Sequence, residues 1–165
     1  MSPEAEFKKL LLRQPRLTLA VAESLTCGQV QAAIGAVSGA SNYFLGGVTA
    51  YSLAQKVKLL GVNRAHARRV NGVSQRVAVE MAQGACALFG TDVAVATTGY
   101  AEPNRAEGIR APMAWWALCH VRHGRRAAII TGLIEMPGAT RGRAQQRVTQ
   151  EVLNQLAAYL REWRG

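Results

Sequence analysis

Five short apolar runs, the first three set apart by helix-like segments, restrict this chain more than any other feature of its sequence. The runs are 17–22, 46–51, 92–97, 113–122 and 127–134. An Ala-rich helical stretch reaching about Val37 separates the first two. A short helix over Leu53–Leu60 and an amphipathic one over Gln75–Phe89 separate the second from the third. Strand–helix–strand order implies parallel crossovers. The last two runs meet at His123-Gly124-Arg125, a hairpin signal that adds an antiparallel strand. Two further helices are expected. One starts at Ser2-Pro3-Glu4, where a hydroxyl N-cap precedes proline and an acid, and runs to about Gln14, with Pro15 ending it. The other covers 140–163. The expected fold is a three-layer α/β/α sandwich with a mixed, mostly parallel sheet of about five strands, one domain over 1–165.

Composition agrees with a packed fold and removes several chemistries. Apolar residues make up 49% of the 165 and charged ones 18%. No apolar run approaches the ~20 residues that span a bilayer. The N-terminal segment has acids near its start and only a short apolar core, unlike a signal peptide, so a cytoplasmic location is expected. Cys27, Cys86 and Cys119 are odd in number and widely spaced, which argues against disulfides or a zinc site and for buried free thiols. The net charge is +10, with 16 arginines scattered along the chain and no nucleic-acid-binding motif beside them. Asp92 is the only aspartate, and His66, His120 and His123 lie far from any serine-bearing turn. A hydrolase built from this chain is therefore not expected to use histidine as its base.

Two residues stand out chemically. Ser24 lies just past the end of a buried strand and at the start of a helix, where α/β proteins place ligands and where amide groups can stabilise an oxyanion. Ser24 or Thr26 also fits a plain helix N-cap. On the helix 53–60, Lys56 falls within the stripe of Leu53, Val57 and Leu60, whereas Lys58 points away. Desolvation lowers a lysine pKa, which suits a general base, and serine with neutral lysine is a known route to amide hydrolysis. A Lys56 that lays its stem on the core and sends its charge to water fits the same position. Tyr51, ending the preceding strand, is placed to relay a proton or orient the lysine.

The segment Ala22-Glu23-Ser24-Leu25-Thr26-Cys27-Gly28 resembles the AESCTGG motif of the CinA C-terminal domain family. Ser38–Ser41, Phe44–Ser52, Lys56 and Leu59–Val62 are similar to its PGAS…FxGGVxAYSxxxK…LLGV block, and Gly72–Ala85 to its GAVSxxxAxEMAxGA block. Thr98-Gly99, Ala101, Pro103 and Pro112 match its TGIAGP…P loop in part. The resemblance runs over about 8–160. It implies a three-layer α/β/α fold and a serine/lysine amidohydrolase, a PncC-type nicotinamide-nucleotide amidase (NMN deamidase) that needs no metal or cofactor. The implied catalytic residues are Ser24, Lys56 and Tyr51. Thr26, Gly28, Ser41, Gly46, Gly47, Thr98, Gly99, Glu102 and Arg143 are the implied substrate-binding candidates. Arg143 and Arg147, neighbours at i, i+4, match a family pair and fit either a solvated face or a phosphate contact.

The chain also departs from the family pattern. Leu25, Cys27 and Asn71 replace small residues, and Glu102 puts a negative charge in a loop that the family keeps glycine-rich. Trp115 and Trp116 are expected to fill space that small residues leave. Three readings stay open: an amidohydrolase acting on nicotinamide mononucleotide, an amidase for another small amide, and a non-catalytic binder of a nucleotide or protein. The expected partner is a small pyridine nucleotide, and a homodimer stays open. Membrane and nucleic acid are not expected.

Overall fold

A computed structural model describes residues 3–165. Five strands form one sheet in the order β2-β1-β3-β4-β5: β1 (Leu19–Glu23), β2 (Phe44–Thr49), β3 (Val93–Tyr100), β4 (Met113–Arg122) and β5 (Arg125–Glu135). β1 pairs in parallel with β2 and β3, and β4 runs antiparallel to both β3 and β5. Only β4 therefore opposes the rest. Six helices flank the sheet: α1 (Pro3–Leu12), α2 (Gln29–Gly35), α3 (Leu53–Leu60), α4 (Arg64–Arg69), α5 (Gln75–Phe89) and α6 (Arg141–Arg164). Among the described residues no helix is long and apolar enough to cross a membrane.

The central strands alternate large and small residues, and the alternation sorts the two layers. Leu19 and Val21 of β1, with Val93 and Val95 of β3, face one core, shared with Phe7, Ile34, Leu153 and Leu156 of α1, α2 and α6. Ala20, Ala22, Ala94 and Ala96 face the other, which α3, α4 and α5 cover. Successive side chains on a strand point to opposite faces, so the alanine face lets helices approach closely. Gly84 continues this into the helix layer, because a Cβ there would fall on the Leu60 backbone of α3.

The chain leaves β1 through α2 on one face to reach β2. It returns through α3–α5 on the other face to reach β3 on the opposite side of β1. Such a reversal of strand order opens a crevice at the carboxyl ends of the strands. The ends of β1 and β3 border it.

Several boundaries differ from the sequence reading. The Ser2 N-cap lies outside the described residues, and α1 ends at Leu12 rather than near Gln14. β1 begins at Leu19, because Leu17 joins the core from a loop. α2 begins after Gly28 as the sequence implies but ends at Gly35 rather than near Val37; residues 24–28 before it form a turn in which Cys27 (φ 50°) and Gly28 (φ 95°) are both left-handed. That turn also leaves Cys27 exposed instead of buried like Cys86 and Cys119. The sequence does not announce α4, because Arg-Ala-His-Ala-Arg-Arg carries no apolar period. It is stabilised locally by Asn63, whose side chain accepts from the His66 amide. The hairpin turn is His123-Gly124, with φ of 52° and 71°, as a tight two-residue connection requires.

Gly84→Ala should lower stability by roughly 2–3 kcal/mol through overpacking of α5 on α3. Gly35→Ala, which meets nothing within 4 Å, should be neutral or slightly stabilising. Thermal unfolding of the two variants measures both.

Candidate active site

Ser24 follows β1 directly, and the turn that carries it is fixed from three sides. The carboxylate of fully buried Glu23 accepts hydrogen bonds from the Val30 amide (2.9 Å), the Gln31 amide (3.1 Å) and Gln31 Nε2 (2.9 Å), tying the strand end to the start of α2. The Ser24 amide donates to Thr97 Oγ1 of β3 at 3.4 Å, and Thr26 Oγ1 lies 2.8 Å from the same oxygen. Gln145 Nε2, from α6, donates to the Leu25 carbonyl at 2.8 Å. A buried carboxylate is stable only where donors surround it, so these bonds hold the turn in one arrangement.

Lys56 comes to Ser24 from the other layer. Ser52 caps α3 by accepting from the Gln55 amide at 3.3 Å, and one turn later Lys56 points inward beside Leu60. The side chain is 3% exposed. Its Nζ lies 2.8 Å from Ser24 Oγ and donates to the Tyr51 carbonyl at 2.9 Å; Ser24 Oγ is 3.5 Å from that same carbonyl oxygen. Gly72, at φ 71°, faces the lysine stem, where an added Cβ would lie 3.6 Å from Lys56 Cδ, and its carbonyl accepts from Thr98 Oγ1 at 2.6 Å. Among the described residues no carboxylate pairs with Lys56. Burial without a counter-charge lowers its pKa from 10.5 to about 8.

The geometry of the amine follows. A carbonyl oxygen can only accept, so one Nζ hydrogen is committed to Tyr51. In the neutral amine the lone pair is then free to face the Ser24 hydroxyl, the arrangement a general base requires.

A cavity of about 650 Å³ opens onto this pair. Tyr51–Leu53 wall it on one side, Asn71 and Val73 on another, and Gly99–Arg105 after β3 on a third. Arg141, the first residue of α6, closes the ring. Its guanidinium donates to Glu102 Oε1 at 3.0 Å and to the Tyr51 phenol oxygen at 2.8 Å. Asn71, at φ 49°, donates from its side-chain amide to the Tyr100 hydroxyl at 3.1 Å.

The residues singled out from the sequence divide into groups. Ser24, Lys56, Tyr51, Gly99 and Glu102 line the cavity. Tyr51 does so differently from expectation: its main-chain oxygen meets Lys56, while its phenol, on a residue 52% exposed, turns to Arg141. Thr26 and Thr98 are buried behind the wall and act through hydrogen bonds, and Gly28 supplies a left-handed turn residue. Ser41, Gly46 and Gly47 lie outside the lining. Ser41 sits in the turn before β2, at the far end of a strand parallel to β1, while Gly46 packs on Phe89 and Gly47 on Gln31. Arg143 is exposed and outside the lining too; Arg141, two residues earlier, takes the place expected of it. The tryptophans do not fill the cavity, because neighbours on β4 point to opposite faces: Trp116 enters the first core over Gly132 and Trp115 packs on the second.

Arg141, Glu23 and Gln145 were not singled out. Two of them carry a signal in the sequence. Glu23 ends an otherwise apolar strand, and Arg141 puts a cation at a helix N-terminus, where the dipole disfavours it.

The CinA C-terminal domain family model matches residues 2–160. A CinA-like protein of Chlorobium limicola is 38% identical over 156 residues, which cover 92% of this chain and 35% of that protein. Another from a Picosynechococcus species is 50% identical over 94 residues, 57% of this chain and 22% of its own length. The chain thus spans about a third or less of these relatives. Among solved structures, a competence damage-inducible protein A from Klebsiella pneumoniae superposes with TM-score 0.88 at 26% identity, covering 98% of this chain and 96% of that one. An Escherichia coli CinA superfamily protein gives 0.82 at 28% identity over 93% and 86%.

Between pH 8 and 10.5 the unfolded chain holds the Lys56 proton and the folded chain releases it. Stability from this residue therefore rises with pH across that window and is flat below it. Lys56→Met should be more stable than wild type at pH 7 by roughly 2–3 kcal/mol, and the difference should shrink towards pH 10.5. Denaturant unfolding of both proteins at pH 7 and 10 tests this; parallel pH dependence would contradict a buried, uncompensated amine.

Proposed function

We propose that this chain, which belongs to the CinA C-terminal domain family, is a serine/lysine amidohydrolase that cleaves the carboxamide of nicotinamide mononucleotide to the acid and ammonia. The observation that carries the reading is the 2.8 Å contact between Ser24 Oγ and a lysine amine whose pKa lies near 8. The substrate assignment rests on the resemblance of the motifs around Ser24, Tyr51 and Lys56 to the family pattern.

In this mechanism neutral Lys56 takes the Ser24 proton as Oγ attacks the amide carbon, forming a tetrahedral oxyanion. Lys56 then passes the proton to the departing nitrogen, ammonia leaves, and an acyl-Ser24 ester remains. Water attacks the ester, giving its proton to Lys56, and collapse returns that proton to Ser24 Oγ with release of the acid. The oxyanion needs donors beside the nucleophile. The Leu25 amide is next in the chain, and it makes no hydrogen bond among the described residues. Gln145 keeps the Leu25 carbonyl turned to α6.

A second reading, an amidase for a different small amide, is favoured by Glu102. Its carboxylate lines the cavity and occupies Arg141, so a substrate phosphate would compete with it for that cation. Glu102→Gly should then lower KM for the mononucleotide severalfold with little change in kcat. An unchanged KM would remove the ground for this reading.

Ammonia release from nicotinamide mononucleotide by the purified protein is the direct test. The rate should rise with pH through about 8 and level off above it, because only the deprotonated amine accepts the Ser24 proton. Ser24→Ala and Lys56→Arg should each reduce turnover by roughly 10³-fold or more, while Lys58→Arg, on the exposed face of α3, leaves it unchanged. Activity that survives in both of the first two variants would rule the mechanism out.

A further inference from the structure

Strand β5 is an open edge of the sheet, and its sequence is self-complementary. β4 covers one side of it, and no strand pairs with the other. Edge strands of lone proteins usually carry a proline or a charge to block further pairing. From Ala127 to Ile134 this strand carries neither. Ile129 and Ile130 are only partly buried and Leu133 is 45% exposed. The charges sit at its two ends and have opposite signs: Arg125 and Arg126 at the start, Glu135 at the finish, all exposed. Among the described residues none of the three forms an ion pair.

We propose that β5 pairs antiparallel with β5 of a second copy of this chain, about a two-fold axis through Thr131, joining two five-stranded sheets into one of ten. In an antiparallel ladder, opposed residues must both face the partner or both face away. The axis therefore passes through a residue. At Thr131 it sets Ile129 of each copy opposite Leu133 of the other and Ala128 opposite Ile134. A shift of the axis to Gly132 would put Ile129 against Glu135. A shift to Ile130 would put Leu133 against Ala127, where β5 carries one extra residue relative to β4. With Thr131 on the axis, that bulge brings Arg126 alongside Glu135 of the second copy, once at each end. The seven residues Ala128–Ile134, paired about Thr131, supply about six main-chain hydrogen bonds. The two Ile129–Leu133 pairs cover the exposed leucines.

Size-exclusion chromatography with light scattering on the purified protein at micromolar concentrations tests the pairing. Wild type should elute with roughly twice the 17.7 kDa chain mass. Leu133→Lys should give a monomer with an unchanged circular dichroism spectrum. Glu135→Arg should weaken the dimer about tenfold, the effect of losing two exposed ion pairs and gaining like-charge contacts. Adding Arg126→Glu to it should restore the wild-type dissociation constant to within about threefold. A monomeric wild type overturns the proposal. So does a dimer that Leu133→Lys leaves intact, or a charge swap that fails to rescue.

Discussion

A lysine amine buried without a counter-ion is costly, and much of the layout around it follows from that cost. Among the described residues Lys56 Nζ has two polar partners, a hydroxyl and a main-chain carbonyl, and neither carries charge. An aspartate or glutamate in their place would hold the amine protonated and useless as a base. The chain has few acids, and those near the cavity are occupied elsewhere: Glu23 by the amides of α2, Glu102 by Arg141. What holds the lysine inward is its place on the buried face of α3 beside Leu60, and the close approach of α3 to α5 at Gly84.

The sheet supplies the remaining precision. Ser24 and Thr97 stand at the ends of neighbouring parallel strands, so the bond between the Ser24 amide and Thr97 Oγ1 fixes the serine relative to β3. Lys56 arrives from the crossover that follows β2, on the opposite face from α2. The serine and its lysine thus come from different layers, and they meet only because the strand order reverses at β1. Helix α6 contributes from a third direction, through Gln145 to the turn and Arg141 to the mouth of the cavity.

The periodic parts of the fold were legible from the residues alone. Leu53–Leu60, Gln75–Phe89 and Met113–Arg122 follow their patterns to the residue, because each buries one face or runs through the core. The same period set Lys56 on the inward stripe of α3, but it left open whether the amine is buried or reaches water, which only the contacts with Ser24 and the Tyr51 carbonyl decide. The turn at 24–28 and helix α4 were not legible: one depends on left-handed residues without a periodic signal, the other on a single asparagine cap. Contacts across the fold were harder still. Glycines such as Gly46 and Gly47 read as room for a ligand, but here the space belongs to Phe89 and Gln31. Arg141 and Arg143 are alike in sequence, and only the direction of the first turn of α6 separates the cavity residue from the solvent one.

The acceptor that orients Lys56 is an atom of the main chain, and every amino acid has one. No substitution at position 51 deletes it, so a side-chain scan of the protein would score the lysine's anchor as empty. What such a scan would detect at Tyr51 is the loss of the phenol's hold on Arg141, an effect at the mouth of the cavity rather than at its reactive pair. Replacing the peptide bond after residue 51 with an ester would weaken this carbonyl as an acceptor while keeping the tyrosine side chain. Backbone chemistry of that kind, and not mutagenesis, is the tool that reaches this part of the machinery.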